Sequence, residues 1–201
     1  MRPEQVLDFP TLYANNCAGC HGEHGVGGAG IALANPTYLQ IAGEQNLRDA
    51  TGKGVKGSLM PAFARNAGGT LTSEQIEVLV HGMMSQWSGA QVTLTGAPGY
   101  RASSAGDTPR GQLAFQTSCA SCHGADGRGV KGKTGSIIDP SYLALISDQA
   151  LRSFVIAGHN GRADWRSYSG TPMSDQQVTD VVAWMASQRA ANPGQPYSES
   201  K

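Results

Sequence analysis

The chain is poor in charge, in aromatic rings and in long apolar runs. Only 15% of its 201 residues are Asp, Glu, Lys or Arg, and 6% are Phe, Trp or Tyr; the usual charged share is about 25%. Fifteen basic residues balance fifteen acidic ones. Without a basic stripe to neutralise phosphates, the composition argues against a nucleic-acid partner. Low charge also argues against a self-repelling disordered polymer. The longest apolar stretches, such as Val181 to Ala186, fall far short of the ~20 residues that a membrane-spanning helix needs. The opening Met1-Arg2-Pro3-Glu4-Gln5 lacks a positive region followed by an apolar core, so it does not read as an export signal.

What the chain does have is 27 Gly and four Cys. The cysteines fall in two identical settings, Cys17-Ala18-Gly19-Cys20-His21 and Cys119-Ala120-Ser121-Cys122-His123. Both read C-x-x-C-H, the attachment signature of a c-type haem. On a helix, residues i, i+3 and i+4 share one face. Two thiols can then bond the two haem vinyl groups while the His offers the iron a ring nitrogen. A four-Cys zinc site is the plain alternative, but it needs no His at the same place in each pair. A thioredoxin-like motif would want a βαβ context, and disulfides would not need the histidines.

Shifting the chain by 102 superposes Cys17, Cys20, His21, Gly22, Gly25 and Gly27 on Cys119, Cys122, His123, Gly124, Gly127 and Gly129. At a shift of 104, Pro36, Tyr38 and Leu39 match Pro140, Tyr142 and Leu143, and Leu47-Arg48 matches Leu151-Arg152. This is one unit duplicated. Each unit reads as helices joined by Gly-rich loops: Glu4–Cys20 and Pro109–Cys122, then Pro36–Ala42 with Glu44–Gly52 and Pro140–Ile146 with Ser147–Ala157. The last helices follow two capping boxes, Thr72 with Gln75 and Ser174 with Gln177. Ile76, Leu79, Val80 and Met83, like Val178, Val181, Val182 and Met185, then recur at helical spacing. No alternating pattern predicts a sheet. Residues 1–93 form the first domain, 94–108 a linker rich in Gly, Ala, Ser, Thr and Pro, and 109–201 the second domain with a polar tail.

This organisation resembles the class I cytochromes c in a tandem dihaem form, over nearly the whole chain. The resemblance implies an all-α fold, two domains each wrapped round one covalent haem c, with electron transfer as the task. It also implies attachment outside the cytoplasm, hence a periplasmic or extracytoplasmic protein whose export signal, and any lipid or membrane anchor, has been removed. Expected partners are redox proteins: a quinol-oxidising complex, a dehydrogenase or a terminal oxidase.

A second axial ligand completes an electron-carrying iron, and Met raises its potential. In the first unit, Gly57-Ser58-Leu59-Met60-Pro61-Ala62-Phe63 looks like the family's Met-Pro loop, with Met60 39 residues past His21. The second unit departs from this. Gly161-Arg162-Ala163-Asp164-Trp165 stands in that place, two residues short and without Met. Met173 is the favoured replacement, 50 residues past His123. Its plain role, aligned with Leu71, is an apolar staple before the last helix. His159, aligned with Val55, is a second candidate, and an open iron a third. An open site would make the second unit a haem enzyme or small-ligand sensor, but no acid/base constellation is evident beside it, so a non-enzymatic carrier is the leading reading. His24 and His81 read as solvated, Trp87 and Trp184 as packing, and Trp165 as a cover for the haem edge. The glycines after each motif are expected to let backbone approach the porphyrin.

Overall fold

A computed structural model describes residues 2–89, 92–158 and 164–190. Nine α-helices occur among them: α1 (Phe9–Asn16), α2 (Ala18–His21), α3 (Pro36–Lys53), α4 (Ser73–Trp87), α5 (Thr108–Ser118), α6 (Ala120–His123), α7 (Pro140–Leu145), α8 (Asp148–Ala157) and α9 (Asp175–Ser187). Extended pairing among the described residues is limited to two isolated bridges, Ala64 with Leu71 and Val130 with Thr134. The fold is all-α.

The expected first helix, 4–20, is broken into three pieces. A 3-10 turn over Pro3–Gln5 comes first, and α1 starts only after Asp8, whose carboxylate accepts from the Thr11 N–H. Pro10 sits in the first turn, where its missing N–H leaves no bond unmade. Cys17 then leaves helical geometry before α2. Helix α3 runs through the expected break, but Gly43 (φ 65°) interrupts it, so two helices meet at a kink. Both capping boxes form: Thr72 and Gln75 exchange bonds of 3.2 and 3.0 Å, Ser174 and Gln177 bonds of 3.2 and 2.9 Å. Gln75 does more than cap. Its amide also donates to the Pro3 and Val6 carbonyls at 2.9 and 3.1 Å, tying down the chain start.

Each unit has its own core. In the first, Phe9, Leu12 and Tyr13 of α1 pack with Leu39 and Leu47 of α3 and with Leu79, Val80 and Met83 of α4. Gly82 makes the crossing possible, since a Cβ there would lie 2.1 Å from the Phe9 ring. The second core gathers Phe115, Leu143, Leu151, Val178, Val181 and Trp184, with Phe115 and Trp184 ring centroids 4.3 Å apart. Here the close approach comes from the first helix. A Cβ at Gly111 would meet the Asp180 carbonyl at 1.9 Å.

The stretch read as a linker is packed, not loose. Pro98 is fully buried. The Gly99 N–H donates to Asp175, the Gly99 carbonyl accepts from Arg152, and the Asp107 N–H donates to Asp180. The two units touch as well: buried Asn35 caps α3 and donates to the Ala157 carbonyl at 3.0 Å.

Candidate haem sites

Both C-x-x-C-H motifs occupy the same geometry. Cys17 and Cys119 are the N-caps of the short helices α2 and α6, which carry the second Cys and the His. All four thiols are free; Cys17 and Cys119 are half-buried, Cys20 and Cys122 exposed. Burial, then the neighbouring Cys20 or Cys122, pushes the Cys17 and Cys119 thiols up to about 11. Among the described residues no three His, Cys, Asp or Glu converge into a metal-holding group.

His21 is buried, and burial holds its pKa below the ordinary value even though its bond to Ile31 acts in the other direction. Its Nδ1 lies 2.8 Å from the Ile31 carbonyl. A carbonyl can only accept, so the proton sits on Nδ1 and the Nε2 lone pair is left for a metal. Burial likewise lowers the His123 pKa.

The second motif opens onto a cavity of about 590 Å³, within the range typical of cofactor pockets. Cys119, Cys122 and His123 line it together with apolar Phe115, Val181 and Met185. Thiols, imidazole and a largely apolar wall in one cavity of this size fit a covalent haem.

Glycines after the motifs approach the motif itself. A Cβ on Gly28 would lie 2.2 Å from the Cys20 carbonyl, and one on Gly30 2.8 Å from the His21 ring. In the second unit, where the repeat shift changes from 102 to 104, residues 130–134 form a turn in which the Lys133 and Thr134 N–H groups donate to Val130. The Thr134 hydroxyl then donates to the Cys122 carbonyl, the bond that the Gly30 N–H makes to Cys20 in the first unit, at 2.7 Å.

Met60 is half-buried on a pinned loop. Its N–H donates to the Ser58 hydroxyl, its carbonyl accepts from the Val55 N–H, and the Phe63 N–H reaches back to Thr51 in α3. Met173 is placed differently. It is 2% exposed in the second core and is not among the residues lining the cavity. Its N–H donates to the Trp165 carbonyl at 2.8 Å, as the Leu71 N–H donates to Phe63 at 2.8 Å. Met173 therefore occupies the seat of Leu71, an apolar residue anchored just before a helix cap. Trp165 is buried beside it, with its indole N–H unpartnered among the described residues. Tyr168, which sequence reasoning passed over, does line the cavity. His159 lies outside the described residues.

Two family models match the chain in tandem: "Cytochrome c" over residues 109–189 and "Cytochrome C oxidase, cbb3-type, subunit III" over residues 4–81. The chain is a tandem dihaem cytochrome c. Two covalent haem c groups belong to the C-x-x-C-H sites of this dihaem cytochrome, and its general role is electron carriage. It is 33% identical over 128 residues to the Cbb3-type cytochrome c oxidase subunit FixP of Sinorhizobium medicae, covering 59% of this chain and 39% of that protein. It is 25% identical over 190 residues to the subunit CcoP of Rubrivivax gelatinosus, covering 92% of this chain and 56% of that protein. The dihaem cytochrome thus spans between two-fifths and just over half of the relatives it matches. Among the described residues no helix is long and apolar enough to cross a membrane.

Proposed function

We propose that this dihaem cytochrome relays single electrons as part of, or to, a terminal oxidase assembly of the kind its FixP and CcoP relatives are named for, outside the cytoplasm. The carrying observation is the pair of equivalent C-x-x-C-H helices, each at the entrance to its own core. Cys17, Cys20, Cys119 and Cys122 hold the haems, and His21 and His123 are the proximal ligands. Met60 is the sixth ligand of the first unit. When bound, each haem supplies an iron centre that gains and loses one electron at a time.

The protein's own residues do the tuning. The Ile31 carbonyl orients His21 and raises the basicity of its free nitrogen. The bonds of the 54–63 loop hold Met60 in place, so little rearranges with redox state. Phe115, Val181 and Met185 give the second site an apolar wall suited to a porphyrin face. In that unit the burial of Met173 supports the staple role over ligation, because the sulfur would have to leave the core to reach the cavity.

Absorption spectra of both redox states, with and without carbon monoxide, test this reading. Two low-spin centres that ignore the gas support a pure carrier. One ferrous centre that binds it at once assigns the second unit a ligand-binding or sensing role. No haem in the mature protein would overturn the reading altogether.

A further inference from the structure

Part of the second cavity's wall comes from the first unit. Gly27, Gly28, Ala29, Gly30 and Ala32, which follow the first motif, line the same cavity as Cys122 and His123. Within this loop the chain alternates between two jobs. Ile31 packs against the first core, and its carbonyl holds the His21 Nδ1–H at 2.8 Å. Its neighbours Gly30 and Ala32 face the second cavity.

Both ends of the loop are fixed. Gly30 donates to the Cys20 carbonyl at 2.7 Å, and Ala34 to Gly25 at 3.1 Å. Beyond it, Asn35 donates to Ala157, next to Gly158, itself a lining residue. Substitution by Ala would push Gly28 and Gly30 into the Cys20 backbone and the His21 ring, so this wall is only one backbone thick.

We propose that loop 27–32 is a shared partition between the two haem sites. It completes the second crevice while setting the hydrogen bond of the first proximal histidine, and it couples the two centres electrostatically. The proposal rests on His21 and His123 being iron ligands. Across a wall one backbone thick, charge on one side is felt on the other more than through a deep layer of water. Reduction of one centre therefore opposes reduction of its neighbour, and a charge placed on the loop shifts the second centre although it lies in the first unit.

The test uses the full-length holoprotein with Ala29→Glu and Ala29→Lys, since Ala29 is exposed and lines the cavity. Haem content by denaturing mass comes first; fewer than two haems in the wild type would defeat the haem-protein reading itself and not the partition. Spectroelectrochemical titration then follows each centre, distinguished by ferric haem-methyl resonances with Overhauser contacts to Phe115. The expected result is a second-centre potential lowered by Glu and raised by Lys. A fold defect would move both variants the same way, so the opposite signs carry the proposal. Shifts confined to the first centre, or of one sign for both variants, overturn it.

Discussion

Arg48 and Arg152 stand at equivalent places in the two units, and they lead different lives. Arg48 is half-buried on α3, paired with Glu44 at 2.6 Å and Glu77 at 2.7 Å. Arg152 is 3% exposed. It donates to Gly99, to the Thr179 hydroxyl and to Asp175. Thr179 is the counterpart of Glu77, so one acid has been lost and replaced by a neutral acceptor. The segment joining the units covers the second arginine, and among the described residues nothing equivalent covers the first. A duplicated fold has been differentiated by its own connection.

The same connection explains the acids of α9. Burial pushes Asp180 up, but bonds from Arg110, the Asp107 N–H and Gln176 outweigh it and hold the carboxyl below its ordinary range. Asp175 behaves alike, burial being opposed by Ser103, Arg152 and the Gly99 N–H. Among the described residues, α4 is tied instead by the Gln75 amide and by the Arg48–Glu77 pair.

The largest contrast to test is all-or-none. Cys119→Ser with Cys122→Ser should leave one covalent haem by intact mass, and Cys17→Ser with Cys20→Ser the other one. Loss of both haems from either double variant would show that the units assemble only together. Met60→Ala should abolish the far-red charge-transfer band of the ferric protein and lower the first centre's potential. Met173→Ala should leave that band intact and destabilise the second unit by about 2–5 kcal/mol, the usual cost of emptying a buried site; loss of band intensity in Met173→Ala would restore Met173 as a ligand.

Arg152→Ala should cost about 1–3 kcal/mol by removing the buried donor of the Gly99 carbonyl and the Thr179 hydroxyl, read as a lowered denaturant midpoint of the second unit. Arg48→Ala should cost less than about 1 kcal/mol. Equal costs would mean that burial by segment 94–108 is not what separates them.

Acid should separate the units more gently. The folded pKa values of Asp175 and Asp180 lie below their unfolded ones. Their stabilisation is therefore complete above the ordinary carboxylate range and is lost as pH falls through the depressed folded values. Tryptophan fluorescence should report the second unit loosening below about pH 4, and Asp180→Asn should flatten that response at a cost of about 2 kcal/mol at neutral pH.

Much of this was legible in the amino-acid order. The C-x-x-C-H pairs, the repeat and both capping boxes are local patterns, in which residues three or four apart carry the whole signal. Thr72 with Gln75 and Ser174 with Gln177 form as their spacing predicts because a cap needs nothing beyond its own turn. The break before α1 departs from the sequence expectation because the Asp8 carboxylate cap and the Pro in the first turn outweigh apolar continuity.

The remainder could be decided only in three dimensions. Met173 reads from the sequence as a ligand or as a staple, and only the fold shows that it is buried beside Trp165 in the second core. Segment 94–108 has the composition of a loose tether, yet Arg152, Asp175 and Asp180 bind its backbone across 53 to 76 residues of chain. Nor does spacing reveal that loop 27–32 borders two sites at once. The physical reason is common to all three. Local order specifies which elements form and where a haem is attached, whereas burial, and with it the charge state and role of each side chain, depends on what distant chain comes to lie over it.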